Sequence, residues 1–482
     1  MRATTTGRPA RHLAAALTLA CSGALAACAA LPPDEALPTA KPIASYASER
    51  SFTAPTGDWV TDAWWKAYGD GQLDELIGEA LDGAPTLAIA KARLRRAEAG
   101  TAITGASLAP QVSATASANE QKQSYNYLSP TAFTPHGWKD YGRATLDASW
   151  DLDPWGKNRA ALAAATSEAE AARADVAQAR LLLTTSIAAA YAELAREHAA
   201  LDTQRAALDV RTKTADLVQQ RFANGLETLA GVRQADARRA AAQADLLSLS
   251  EQLALQQNRI AALAGAGPDR GLSIVRPAVD IAKPFALPTQ LSVNLIGRRP
   301  DITAARLRAD AASQRIKQAR RAFYPDVNLA GFFGAQSLGL DMLNHSGSTV
   351  GGVGPAISLP IFTGGALRGR LRGAQAEYAE AVASYNATIV QALQDVADAA
   401  VSRQALGPEL VRAGEAVDAA REAWRIQNNR YEGGLATYLD VLAAEDYLLS
   451  NLRTQTDLQS RAFTLQVALV RALGGGYAAN RS

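Results

Sequence analysis

Two kinds of periodicity alternate along this chain, and the whole alternation occurs twice. From Pro110 the apolar residues Val112, Ala114, Ala116 and Ala118 alternate with Ser113, Thr115, Ser117 and Asn119. After a polar, aromatic loop at 120–141 the pattern resumes, with Ala144, Leu146, Ala148 and Trp150 set against Arg143, Thr145, Asp147, Ser149 and Asp151. A period of two predicts strands with one apolar and one polar face. The second half does the same: Val327, Leu329 and Phe333 oppose Asp326 and Asn328, and beyond a loop at 337–349 the residues Val353, Ile357, Leu359 and Ile361 share one parity. Each strand has about ten residues, enough to cross a bilayer at a tilt. Proline is tolerated as the first residue of a strand, which suits Pro110 and Pro325, whereas Pro355 predicts a bulge or a rim position.

Between the strand pairs the period is seven. Ile187, Leu194, Leu201, Leu208, Ala215 and Phe222 form one series; Ile389, Val396, Leu410, Val417, Trp424 and Tyr431 form the other, with Arg403 its one polar break. A sustained heptad imposes coiled-coil packing on helices of roughly 65 residues, on the order of 100 Å long. Asn224-Gly225-Leu226 and Gly433-Gly434-Leu435 then read as tight tips, because glycine or asparagine supplies the left-handed residue that ends a helix. Residues 70–107 read as helical, with an interruption at Pro85.

The copies keep equal spacing. Pro85 and Pro110 are matched by Pro300 and Pro325, and Arg221-Phe222-Ala223-Asn224-Gly225-Leu226 returns as Arg430-Tyr431-Glu432-Gly433-Gly434-Leu435. One structural unit is therefore built twice, over residues 59–265 and 298–474, with a Pro- and Gly-rich connection at 266–297 and a tail at 475–482. Four strands cannot close a barrel by themselves, since the smallest single-chain barrels have about eight. If these strands are transmembrane, several chains must share one barrel.

Composition supports long helices over an aromatic core: 48% of residues are hydrophobic but only 6% aromatic. The formal net charge of +2 includes Arg2, Arg8 and Arg11 of the N-terminal segment, so the remainder is close to neutral, which excludes a nucleic-acid partner. Those arginines and His12 precede the apolar run Leu13–Leu25, an export signal over residues 1–27. Leu25-Ala26-Ala27-Cys28 resembles a lipobox, in which the cysteine is acylated and becomes the first mature residue; the alternative is an ordinary signal with a stray cysteine. The other cysteine, Cys21, lies in the discarded segment, so a covalent lipid at Cys28 is the one bound group expected. Ala29 stands where an inner-membrane retention signal would place Asp, which leaves the outer membrane as the expected address. Residues 28–58, rich in Pro, Ala, Ser and Thr, read as a tether from lipid to body.

Catalytic constellations do not emerge. The chain has no G-x-x-x-x-G-K-[ST] run and no H-E-x-x-H, and His12, His136, His198 and His345 are far apart, so neither an enzyme nor a metal site is expected.

Taken in order, Trp64-Trp65 with Gln72-Leu73-Asp74, Trp150-Asp151-Leu152-Asp153 with Trp155-Gly156, Arg299-Pro300-Asp301, Tyr324-Pro325, Gly354-Pro355 through Phe362, and Arg430-Tyr431 with Gly434-Leu435 resemble the outer membrane factor (TolC-like) family. The most similar subset is the NodT-type lipoprotein outer-membrane subunit of resistance-nodulation-division efflux systems. The resemblance implies a fold that is mainly α with transmembrane β. Three chains would share a twelve-stranded barrel, four strands each, continued by a long α-helical barrel with a mixed equatorial domain. It also implies a homotrimer in outer-membrane lipid, a periplasmic adaptor facing the tips, an inner-membrane transporter behind that adaptor, and passive export of drug-like molecules. In the family, carboxylates just past the second tip narrow the tunnel. The matching residue here is Asp440, with Leu439 as an apolar constriction; the family's second acid is replaced by Ala443, followed by Glu445 and Asp446. A charge solvated on its helix is the plainer reading of Asp440. A duct for secreted protein or metal remains open within the family, and a periplasmic coiled-coil lipoprotein outside it.

Overall fold

The computed structural model describes residues 36–42, 45–46, 56–57, 59–126, 130–278, 287–288 and 297–478. Cys28, most of the tether and half of the inter-repeat connection lie outside these residues. Contacts divide the chain into two compact units, and each unit takes one end of both copies.

The first unit (up to Ala40, Arg95–Ala171 and Arg306–Ser384) holds an antiparallel sheet. Its strands are β2 (Gln111–Gln121), β3 (Lys139–Asp151), β5 (Asp326–Leu338) and β6 (Thr349–Ser358), in that order across the sheet. The pairing of β5 with β6 runs without interruption from Asp326↔Ser358 to Ala335↔Thr349, and Pro355 pairs with Leu329 in register. The bulge anticipated at Pro355 is therefore absent. Because β6 has only one neighbouring strand among the described residues, a residue without an N–H costs little there. The strand also begins and ends earlier than its parity suggested, leaving Leu359 and Ile361 beyond it.

Among its described residues, the second unit (Lys41–Leu94, Ala172–Ala305 and Tyr385–Ser482) is helical apart from β1 (Thr56–Gly57), which pairs in parallel with β4 (Leu287–Pro288). A short 3-10 helix at Trp64–Tyr68 precedes α1 (Gly71–Gly83). The buried Trp64 and Trp65 seat this start on a core containing Leu73, Ile77, Ile187, Leu194, Val396 and Phe463. Asp70 caps α1 by accepting from the backbone of Gln72 and Leu73, a capping arrangement that satisfies orphan N–H groups. Its second oxygen accepts from the Tyr191 hydroxyl (2.8 Å) and the Ala278 N–H (2.8 Å). Arg299, buried, donates to Asp301, to Asp395 and to the Ala472 carbonyl, which ties the start of the second copy to its end.

The helices follow the repeat. After α2 (Pro85–Ala106), α3 (Lys157–Ala223) and α7 (Ala366–Glu432) are each 67 residues long. Their partners α4 (Leu229–Leu263) and α8 (Tyr438–Ala472) are each 35. The short α5 (Pro268–Leu272) and then α6 (Pro300–Arg321) complete the helices that matter here. Heptad positions Ile187, Leu194, Leu201 and Ala215 are buried, as are Ile389, Val396, Val417 and Tyr431. Phe222, at the end of the first series, is 37% exposed.

Candidate functional site

In the sheet, register decides which side chains share a face, because directly paired residues of antiparallel strands point to the same side. Val112 pairs with Ala148, Ala148 with Gly331, and Gly331 with Val353. The next row is Ala114, Leu146, Phe333 and Gly351. Trp150, Leu329 and Pro355 form another. Four strands thus present one continuous apolar face. Its large side chains face outward from the chain: Val112, Leu146, Phe333, Val353 and Ile357 are 56–81% exposed.

The opposite face carries Ser113, Asp147 and Phe332 in one row and Thr115, Thr145, Gly334 and Val350 in the next. Here Asp147 accepts hydrogen bonds from Thr115 (2.7 Å) and Thr145 (3.0 Å), and the Arg143 guanidinium lies 5.3 Å from the Phe332 ring centre. A water-excluding apolar face on a sheet that otherwise satisfies its own polar groups suits contact with hydrocarbon. At the end where the strands join the helices, Trp150 donates to the Leu108 carbonyl, Trp155 donates to the Pro325 carbonyl, and Trp155 stacks on Tyr324 at 5.2 Å. Rings with one apolar body and one bonded polar atom form the girdles of membrane barrels.

The two tips in the second unit are built alike. At the first, the Leu226 N–H donates to the Arg221 carbonyl and the Gly225 N–H to the Phe222 carbonyl; at the second, Leu435 donates to Arg430 and Gly434 to Tyr431. These paired bonds are Schellman closures, which need a left-handed residue. Gly225 has φ +71° and Gly434 φ +73°. Leu226 and Leu435 stand 66% and 74% exposed at the two turns, and Leu439 is also exposed.

The copies differ one residue later. Thr228 and Thr437 are the N-caps of α4 and α8. The Thr437 hydroxyl accepts from the Asp440 N–H, and the Asp440 carboxylate accepts from the Thr437 N–H (2.8 Å) and hydroxyl (2.7 Å), a reciprocal capping box. In the first copy the residue three past the cap is Gly231, and the Thr228 N–H instead donates to the Glu227 carboxylate (2.9 Å). Asp440 thus has a local structural duty. The hydrogen bonds from Thr437 also hold its carboxyl below the ordinary range, so it is charged at neutral pH.

A partly buried charge cluster, whose pairing across the two copies the sequence did not show, lies behind the tips. Arg211 on α3 donates to Glu445 on α8 at 2.9 Å and approaches Asp446 at 3.3 Å, while Arg238 on α4 holds Asp446 at 2.7 Å. The Glu445 side chain is 3% exposed, and its Oε2 has no hydrogen-bond partner. Burial pushes its carboxyl above the ordinary range, against the opposing pull of Arg211. Beneath it, Tyr431 and Tyr438 pack with Val218, Val232 and Val441. Burial pushes both phenols up to about 12. The cluster joins helices of both copies across 234 residues of sequence.

The profile of the outer membrane efflux protein family matches residues 76–266 and 291–475, once for each copy. The chain belongs to this family. It is 32% identical over 428 residues to the multidrug resistance outer membrane protein MdtP of Shigella flexneri, covering 87% of this chain and 88% of that one. It is 33% identical over 368 residues to the fusaric acid resistance protein FusA of Burkholderia cepacia, covering 74% and 68%. Among solved structures, VceC of Vibrio cholerae superposes with a TM-score of 0.83 at 51% identity, covering 87% of this chain and all of that one. The outer-membrane channel OprN gives 0.82 at 30% identity over 92% of this chain. The exposed apolar face is accordingly the candidate bilayer surface of an outer-membrane efflux channel, and the TolC-like fold implied by the resemblance is the fold observed.

Proposed function

We propose that three copies of this chain close one barrel through the outer membrane and form a passive duct for drug-like or toxic small molecules. The observation that carries this is the sheet. It has an outward apolar face, four strands of 10–13 residues, and edge strands β2 and β6 with no second neighbour among the described residues. An open edge of that length in a bilayer leaves backbone groups unsatisfied, and closure on further copies satisfies them. Relatives named for multidrug and fusaric acid resistance support small molecules as the cargo.

The resemblance to the NodT-type subunits supports an inner-membrane resistance-nodulation-division transporter as the energy source, with a periplasmic adaptor meeting the tips. Exposed Leu226 and Leu435 flanking Gly225 and Gly434 suit that contact. In the trimer Asp440 forms a ring of three carboxylates that narrows the tip end, with Leu439 beside it. The Thr437 hydrogen bonds that lower its carboxyl within one chain favour the charged form, against the mutual repulsion that three such carboxylates would add.

Cys28 carries the lipid in this account. Leu37, nine residues further on, packs against Ile316, Leu371 and Ala374 of the first unit, the unit that holds the sheet. Nine residues reach at most about 30 Å, so an acylated Cys28 stays within reach of the membrane. Mass spectrometry of the mature N-terminus tests this: a triacylated cysteine is expected, and an unmodified residue at position 28 would refute it. The duct itself is tested by deleting the gene and profiling susceptibility to drugs, detergents and metals. Lost resistance to amphipathic drugs, restored by the intact gene, is expected; sensitivity confined to metals would overturn the cargo assignment.

A further inference from the structure

The two copies of the strand-to-helix corner differ in charge. Since α3 and α7 are equal in length and begin at Lys157 and Ala366, residues 150–167 of the first corner correspond to 359–376 of the second. The first corner neutralises itself. Arg159 pairs with Asp153 (3.3 Å), Lys157 with Asp326, and Asn158 donates to Asp151. In the second corner Arg368 takes the place of Arg159, but Phe362 stands where Asp153 stood. Arg370 and Arg372 replace Ala161 and Ala163, and no acid occurs between 359 and 376. All three arginines are exposed, and none has an ion pair among the described residues.

Three unpaired cations in the first two turns of α7 oppose the helix dipole, so local folding does not explain them. Their surroundings do. Ile361 and Phe362 are 84% and 90% exposed and follow directly on β6, whose Val353 and Ile357 belong to the bilayer face. Arg368 is the third residue of α7, and Arg368 to Arg372 spans about 6 Å of helix. The headgroup layer on one side of a bilayer is of similar depth, roughly 5–8 Å. Exposed apolar side chains followed by clustered arginines form the pattern that binds anionic membrane surfaces.

We propose that the second corner, through Arg368 and Arg372, one turn apart on the same face of α7, binds the phosphate headgroups of anionic phospholipids in the periplasmic leaflet; Arg370, two residues from each, lies on the other side of the helix. The occupant is lipid because the patch is continuous with the bilayer face and its charge complements a phosphodiester. A bidentate guanidinium–phosphate contact suits it chemically. The first corner, neutral by internal pairing, provides no such site, so lipid would be held at alternate corners around the assembled barrel.

Native mass spectrometry of the full channel, released from nanodiscs with equal phosphatidylglycerol and phosphatidylcholine, tests this. The wild type should retain phosphatidylglycerol preferentially. The R368Q/R372Q variant should lose that preference by roughly 25-fold, at about fivefold for each arginine. R368K/R372K should keep most of it. An unchanged lipid ratio in the glutamine variant overturns the proposal. So does an unchanged ratio with an altered anion-to-cation permeability in planar bilayers, which would place the arginines in the duct. Should the glutamine variant not fold, the wild type alone decides. Its phosphatidylglycerol retention must fall as salt rises from about 50 to 500 mM while phosphatidylcholine is unaffected; retention insensitive to salt overturns the proposal.

Discussion

Replacing Arg211 with Met should loosen the tips while leaving the sheet untouched. The substitution keeps a long apolar stem but strands the Glu445 carboxylate, whose side chain is 3% exposed and whose Oε2 already lacks a partner. Removing one member of a buried ion pair costs about 3–5 kcal/mol. The Arg211 side chain is itself 13% exposed, and Arg238 remains nearby on Asp446, so about 2–3 kcal/mol is the better figure here. That energy corresponds to about 30–150-fold more frequent local opening. Hydrogen exchange of the amides in 211–223 and 438–450, measured on the detergent-solubilised channel, reads the change directly.

The pH dependence of that exchange has a definite sign. Glu445 binds a proton more tightly in the packed tip than when solvated, because burial raises its pKa. Protonation therefore favours the packed tip. In the variant the opposing pull of Arg211 is gone, so protection should recover as pH falls toward the raised pKa, after correction for intrinsic exchange chemistry. The double variant Arg211→Met/Glu445→Gln should be better protected than Arg211→Met alone. Tip exchange within threefold of wild type in the single variant, or a double variant worse than the single, would refute the reasoning.

On the sheet, Phe333→Arg places a cation near the middle of β5 on the bilayer face and should cost about 2–4 kcal/mol of insertion per chain; a heat-modifiable gel band as stable as wild type would contradict the face assignment. At the second tip, Asp440→Asn removes the charge but keeps a cap acceptor. It should weaken block by multivalent cations without fraying α8, whereas Asp440→Ala should also raise exchange at 438–441; identical block in both variants and wild type removes Asp440 from the gate.

Much of this architecture could be read from periodicity alone, because the physical constraint repeats. A strand that faces lipid on one side must alternate, a helix in a coiled coil must return every seven residues, and a helix that reverses tightly needs a left-handed residue such as Gly225 or Gly434. What escaped depends on pairing at a distance. Arg211 and Glu445 meet across 234 residues, and nothing in the local sequence around either names the other. Tyr191 and Asp70 are a second case, 121 residues apart. Of the two readings of Pro355, the bulge fails and the rim fits, since it pairs in register with Leu329 in the row of Trp150, three residues from the end of β6. The capping role of Asp440 went unread, although Thr437 three residues before an acid is the spacing of a capping box and Gly231 breaks the same box after Thr228. The charge difference between the two corners was also present in the sequence. It acquired meaning only when the ion pairs of the first corner showed what the second lacks.

The central claim is that one chain supplies a third of a closed barrel. The most direct measurement is the mass of the detergent-solubilised protein by light scattering corrected for bound detergent, with conductance recorded on the same preparation. A stable three-chain particle that forms pores in planar bilayers is the predicted result. A monodisperse single chain, folded by circular dichroism yet unable to conduct, would contradict the account.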